Sequence, residues 1–297
     1  MQSPSQTDAP VFELAPLPAE QAVSQVAVTR WRAAEAQPAV ADVLAEEVPV
    51  ALVFNGVSHV VMLATPADLE DFAYGFAYTE GIIDHPQQIY GVELHAACQD
   101  QQQGIEVHID LATEQFARLK ERRRNLTGRT GCGLCGAESL QQVFRQPQQA
   151  GVHAPQLSAA VVYAAVAALH TRQPLQQQTG ATHACALVDA QGNILCVRED
   201  VGRHNALDKL LGALLRAQRT TQGLLERQWI LTTSRASYEM VQKVAMLGGR
   251  ALVAMSAPTA LAADLARTYD MLLVGFARAA QCVVYHGSLQ AEPWVEK

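Results

Sequence analysis

Cys132 and Cys135 stand three positions apart in GRTGCGLCGAE, residues 128–138, among Gly128, Gly131, Gly133 and Gly136. A C-x-x-C pair serves zinc binding, dithiol–disulfide chemistry and sulfur transfer alike. A structural zinc site needs a second ligand pair. Cys98, Cys185, Cys196 and Cys282 are isolated, and the nine histidines show no ligand spacing. A thioredoxin-type redox pair opens a helix directly after a strand, whereas a basic helical stretch, LKERRRNLTGR, precedes this one. Its Lys120, Arg122, Arg123, Arg124 and Arg129 suit the negative pole of a helix end, and equally a cationic patch for a phosphate, a thiolate or an acidic partner. Together with the positive end of a helix beginning near Ala137, they would lower a thiol pKa and populate thiolate. The residues alone leave sulfur or redox chemistry, zinc and a structural role open.

A second constellation is REDVGRHNALDK, residues 198–209, on a turn between a strand and a helix. Asn205 or Asp200 suits helix capping. Capping does not call for Arg203 and His204, which point to a ligand or a partner. A third set follows the late apolar runs: Ser234 and Arg235, Ser256 and Thr259, then Arg278. If those strands are parallel, their C-terminal ends share the edge where open α/β sheets bind ligands. Hydroxyls, backbone N–H groups at helix starts and two arginines suit phosphate and a planar base. Three ordinary helix caps are the plainer reading. Neither G-x-x-x-x-G-K-[ST] nor G-x-G-x-x-G occurs, so an ATPase or NAD reading has no support.

The elements that position these residues are legible from periodicity. VPVALVF and VSHVVMLA flank Asn55-Gly56, a strong hairpin signal. Thr65-Pro66 followed by acids reads as a helix start with Thr65 as N-cap, and Leu69, Phe72, Phe76 and Ile82 share its apolar face. A strand pair and the helix TEQFARLKERRR complete a small α+β unit over residues 21–127, after a disordered tail over residues 1–20. Residues 128–156 read as the cysteine loop, a short helix and a linker. Residues 157–292 form an α/β domain: an Ala-rich helix, a hairpin around Gln191-Gly192, then alternating strands and helices that indicate parallel strands covered on both faces. The glutamine clusters at 101–103 and 176–178 read as loops.

With 297 residues, 49% hydrophobic and 17% charged, the chain is an ordinary globular protein. Six cysteines suit a reducing cytosol. MQSPSQTDAP lacks a secretory signature and no run of about 18 apolar residues occurs, so a soluble cytoplasmic protein is expected, without a membrane partner. The net charge of −7 argues against nucleic acid.

The stretches TPADLEDFAYGFAYTEGII, RTGCGLCG, EDVGRHNALDKLLG, TSRASYEMVQK, ALVAMSAPTALAADLA and LLVGFAR, in this order, resemble the FdhD family of sulfur carriers required for formate dehydrogenase. The resemblance covers roughly residues 45–286, with EDVGRHNALDK its most specific part. It implies a homodimer and a cytidine-deaminase-like α/β fold for the C-terminal part. It also implies a sulfurtransferase-like role, in which persulfide sulfur passes from a cysteine desulfurase to the bis(molybdopterin guanine dinucleotide) molybdenum cofactor of formate dehydrogenase. Cys132 would then carry the persulfide, with Cys135 as second thiol. Phe276, Ala277, Arg278, Ala279, Ala280 and Gln281 would bind the cofactor, and a guanine nucleotide would mimic it. After Arg278 the chain is poorer in glycine and charge than is common in the family. The triplet His183-Ala184-Cys185 echoes the His-Ala-Glu of zinc deaminases, but cysteine replaces the glutamate and no P-C-x-x-C follows, so neither deamination nor a bound metal is expected. A non-catalytic cofactor chaperone with a structural or regulatory C-x-x-C is the alternative.

Overall fold

The computed structural model describes residues 22–99, 102–127, 154–218, 225 and 227–291. The first strands are β1 (Val23–Val28), β2 (Trp31–Arg32), β3 (Glu35–Ala36) and β4 (Val40–Ala45), with β4 antiparallel to β1. Next come β5 (Val48–Phe54) and β6 (Val57–Ala64), joined by the expected hairpin. Asn55 (φ 45) and Gly56 (φ 76) both occupy left-handed backbone, as a two-residue type I′ turn requires. The Asn55 side chain also exchanges hydrogen bonds with the backbone of Leu111, at 2.6 and 3.1 Å. Helix α1 (Leu69–Thr79), β7 (Ile89–Gln99), β8 (Gln102–Leu111) and α2 (Thr113–Thr127) complete this unit. Its sheet runs β6-β5-β8-β7, with β5 parallel to β8.

The predicted apolar face of α1 is buried: Leu69, Phe72 and Phe76, with Ile82 just beyond. The predicted helix start is not what forms. Asp68, in left-handed backbone (φ 53), precedes the helix, and Thr65 is fully buried instead. Its N–H donates to Asp200 Oδ2 (3.0 Å), its hydroxyl accepts from the Val201 N–H (3.2 Å), and its carbonyl accepts from Lys209 Nζ (2.9 Å). Buried partners more than a hundred residues away outcompete the local capping role.

The second part contains α3 (Ala159–Leu169), α4 (Pro174–Thr179), β9 (His183–Val188), β10 (Ile194–Asp200), α5 (Arg203–Gln218), β11 (Trp229–Thr232), α6 (Tyr238–Met246), β12 (Ala251–Ala254), α7 (Ala260–Thr268), β13 (Leu272–Gly275) and β14 (Val283–His286). The six-stranded sheet runs β10-β9-β11-β12-β13-β14. Only β11, β12 and β13 are mutually parallel, while β9 runs against both neighbours and β14 against β13, so the sheet is mixed rather than parallel. Residues 176–178 lie in α4 and residues 102–103 in β8, rather than in loops.

Strict alternation sorts the sheet's two faces. Ala186, Val188, Leu231, Val253 and Val274 pack with Val162, Val166 and Leu169 of α3. Cys185, Leu187, Ile230, Leu252 and Leu273 face the core built by α5, α6 and α7. That core continues without a break through α1 to Val50, Leu52, Phe54, Val107 and Ile109 of the four-stranded sheet.

Helices α1 and α5 join the two parts by backbone approach and buried charge. A Cβ built on Gly75 would lie 1.8 Å from the Asp208 carbonyl oxygen, and one on Gly212 would lie 1.7 Å from that of Asp71. Beside this crossing, Arg198 pairs with Asp71 (2.8 Å) and Arg216 pairs with both Asp71 and Glu70. Lys243 pairs with Asp208 (2.6 Å), which also accepts from the Thr79 hydroxyl (2.9 Å). Among the described residues no helix is long and apolar enough to cross a membrane.

Candidate functional site

Cys132, Cys135 and Arg129 lie outside the described residues, while α2 carries Lys120, Arg122, Arg123 and Arg124. The described residues build one edge of the six-stranded sheet. There the C-terminal ends of β10, β11, β12 and β13 meet the start of β9, which arrives from the other direction. Four backbone bonds knit the loops: Met255 N–H to Thr232 O (2.9 Å), Thr259 N–H to Ala236 O (3.0 Å), Phe276 N–H to Ser256 O (3.1 Å) and Ala277 N–H to Ala254 O (3.1 Å). Ser234, Arg235, Ser256, Thr259 and the segment 276–281 are thereby brought to one edge.

Their side chains divide into supports and free groups. Ser234 is buried, its hydroxyl engaged with Thr232 Oγ1 (3.0 Å) and the Arg235 carbonyl (3.0 Å). Thr259 Oγ1 accepts from the Ala262 N–H (3.2 Å) and caps α7. Thr259→Ala is therefore expected to lower folding stability by about 1 kcal/mol, measured by urea denaturation; an unchanged midpoint would refute the capping role. Arg278 donates to the carbonyls of Met255 and Ala277, bridging two loops. The Ala277 side chain is buried on the α3 side, whereas Ala279, Ala280 and Gln281 are exposed. Phe276 is 42% exposed and sits in left-handed backbone (φ 50), an outlier for a bulky residue of the kind that clusters at functional sites.

The turn after β10 resolves into two sets of roles. Asp200 and Lys209 are fully buried and paired at 2.6 Å. The same carboxylate accepts from the Thr65 and Gly202 N–H groups (3.0 and 2.7 Å) and from Asn205 Nδ2 (3.1 Å). Asn205 also donates to the Leu63 carbonyl (2.9 Å). Neither Asp200 nor Asn205 is the N-cap, because α5 begins at Arg203, directly after Gly202. His204 Nε2 lies 3.0 Å from Glu239 Oε2, and burial pulls its pKa down against that carboxylate. Arg203 differs from all of these: its Nε is buried with no hydrogen-bond partner among the described residues.

His183 joins this group, and the sequence marked it only as an echo of another enzyme. It is the cross-strand neighbour of Asp200. The next residue, Ala184, is clamped by Thr233 through two 3.0 Å bonds. Burial lowers the His183 pKa, and Arg203 and Arg235 lower it further, with Asp200 partly opposing. A half-buried imidazole thus stands in the field of two arginines, on a chain whose net charge is −7. Its place beside Asp200 follows from the expected hairpin around Gln191-Gly192, whereas the antiparallel pairing of β9 with β11, which brings Thr233 to Ala184, is not revealed by periodicity.

Cys185 and Cys196 are buried core residues. Burial pushes the Cys185 thiol up to about 12 and also raises that of Cys196. Among the described residues no three His, Cys, Asp or Glu side chains are placed to hold a metal ion.

Fold and site together define a class: a mixed α/β protein with a cation-lined edge of loops on its larger sheet. The model of the FdhD/NarQ family matches residues 45–291, and the chain belongs to that family. It is 52% identical over 266 residues to a protein of Cupriavidus necator named sulfur carrier protein FdhD, covering 88% of each chain. A protein of the same name from Xanthomonas euvesicatoria pv. vesicatoria is 49% identical over 247 residues, covering 83% of this chain and 84% of its own. The fold is similar to a crystal structure described as a formate dehydrogenase accessory protein from Desulfotalea psychrophila. That match has a TM-score of 0.67 at 22% identity and covers 89% of this chain and 97% of the other.

Proposed function

We propose that the protein is a cytoplasmic sulfur carrier with a cysteine persulfide intermediate, serving formate dehydrogenase. The observation that carries this reading is the 52% identity, over most of the chain, to a relative named as a sulfur carrier. The cysteines support it: Cys185 and Cys196 are buried with raised thiol pKa values, unsuited to a thiolate's work. The family resemblance assigns the sulfur chemistry to Cys132 and Cys135 of the C-x-x-C pair.

The Cys132 thiolate attacks the terminal sulfur of a cysteine desulfurase persulfide. A new S–S bond forms on Cys132 and the desulfurase cysteine leaves as thiolate, with no net change of oxidation state. Cys135 can release the sulfur by attacking Cys132 Sγ, which yields hydrosulfide at the acceptor and a disulfide that a dithiol must reduce. The acceptor is the bis(molybdopterin guanine dinucleotide) molybdenum cofactor, held at the sheet edge by Arg203, Arg235, Arg278 and the backbone of 276–281. His204, Ser234, Ser256 and Thr259 support those groups from behind, and a guanine nucleotide occupies the same place. A homodimer, the cytidine-deaminase-like description of the larger sheet and the domain limits 21–127 and 157–292 belong to the same reading. The mixed, helix-covered sheet supports the fold description.

The test is intact mass after incubation with a cysteine desulfurase and free cysteine. Wild type is expected to gain one sulfur, Cys132→Ala none, and Cys135→Ala to keep its loading. No added sulfur on wild type, or equal loading of wild type and the Cys132→Ala/Cys135→Ala double variant, would sink the reading.

A further inference from the structure

We infer that His183, Arg203 and Arg235 together form a subsite for a phosphoryl group, with His183 a direct ligand of its oxygens. The inference rests on the reading that the edge receives a phosphate-bearing acceptor, and adds to it a residue and a proton.

Placement comes from the strand ladder. Asp200 lies opposite His183 across β9 and β10, and Arg203 follows three residues later as the first residue of α5. On the other side, Thr232 lies opposite Cys185, and both backbone groups of Ala184 are held by Thr233. Arg235 is two residues beyond that clamp. The imidazole therefore sits between a loop carrying one arginine and a helix start carrying another.

Among the described residues the charges around it are not balanced. Asp200 is the nearby carboxylate, but it is spent on Lys209 at 2.6 Å, with both side chains fully buried. Glu239 is taken by His204 at 3.0 Å. Arg203 and Arg235 make no ion pair with a described residue, and the buried Nε of Arg203 lacks an acceptor. A buried donor without a partner is rare in a native protein and calls for a ligand, a water or an ion. A tetrahedral oxyanion supplies acceptors for a planar guanidinium and cancels the excess positive charge.

Such a ligand changes the protonation of His183. In the free protein, burial, Arg203 and Arg235 all lower its pKa from 6.5, and Asp200 alone opposes. The ring is then neutral near neutral pH. A bound dianion reverses the sign of the local field and favours imidazolium, so binding takes up a proton. Affinity for the anion accordingly rises as pH falls through the neutral range.

Sulfate is the probe, because it has the shape of phosphate but does not itself titrate near neutrality. Calorimetry in buffers of different ionisation enthalpy is expected to show proton uptake when sulfate binds the full-length protein. His183→Asn should abolish that uptake and weaken sulfate by about tenfold, and Arg203→Met should weaken it by about tenfold or more. His183→Gln serves as a second variant, and circular dichroism confirms that each is folded. Guanosine diphosphate should compete with sulfate, while guanosine should not. Sulfate binding without proton uptake, or unchanged in all these variants, overturns the subsite as an adventitious contact. Sulfur loading is read separately by mass. Proton-coupled sulfate binding without persulfide formation rejects the carrier reading and keeps the subsite, and the converse rejects the subsite alone.

Discussion

Gly212→Ala is expected to lose about 3 kcal/mol or more of folding free energy. A methyl group at Gly212 would sit 1.7 Å from the Asp71 carbonyl oxygen and 2.6 Å from its carbon. Those are backbone atoms of the facing helix, so no side-chain rotation relieves the clash. Helices α1 and α5 would have to separate, loosening Phe72, Leu207 and Leu211 in the core they share. The pairing of Asp71 with Arg198 and Arg216 spans the same crossing and would open with it. Alanine's better helix propensity returns only about 1 kcal/mol. Gly75→Ala, whose methyl group meets the Asp208 carbonyl at 1.8 Å, should behave alike. Urea denaturation measures both, and a loss below about 0.5 kcal/mol in either would show that the helices do not meet this closely.

Lys209→Met is expected to cost about 3 kcal/mol, the lower end of what breaking a buried ion pair costs. Removing the ammonium strands the Asp200 carboxylate with no exposure to water. Three donors remain on it, from Thr65, Gly202 and Asn205, which places the loss at the lower end. The double variant Asp200→Asn/Lys209→Met should recover part of that stability, because no buried charge is left behind. A double variant less stable than either single one would show that the pair is not the source. The same change should weaken sulfate binding, since this pair holds the turn from which Arg203 projects.

Several parts of this fold were legible because their determinants are local. Asn55-Gly56 specifies its hairpin through backbone that few residues adopt. The spacing of Leu69, Phe72 and Phe76 marks the buried face of α1. Apolar runs after residue 228 mark strands, although direction is not written in a run, and the sheet proved mixed. The Thr65-Pro66 signature failed for a related reason: a capping motif describes what a threonine can do locally, while Asp200 and Lys209 offered it buried partners.

Candidate site residues followed the same division. Arginines and hydroxyls after β11, β12 and β13 were recognisable, since an α/β sheet presents its loops along one edge. Which of them are free was not. Thr259 and Ser234 turned out to be engaged, and Arg203 Nε to lack a partner among the described residues, only once their neighbours were known. Gly212 reads in sequence as a flaw in a leucine-rich helix, yet it is where the facing backbone passes.

The sequence by itself determined the periodic elements, the hairpin turns, the C-x-x-C pair and membership of a family, because each depends on residues close in the chain or on their order. The tertiary structure alone decided that His183 stands between Arg203 and Arg235, and that Asp200 is spent on Lys209. Strand direction and the pairing of buried charges depend on contacts between distant segments, and those are settled only when the whole core closes.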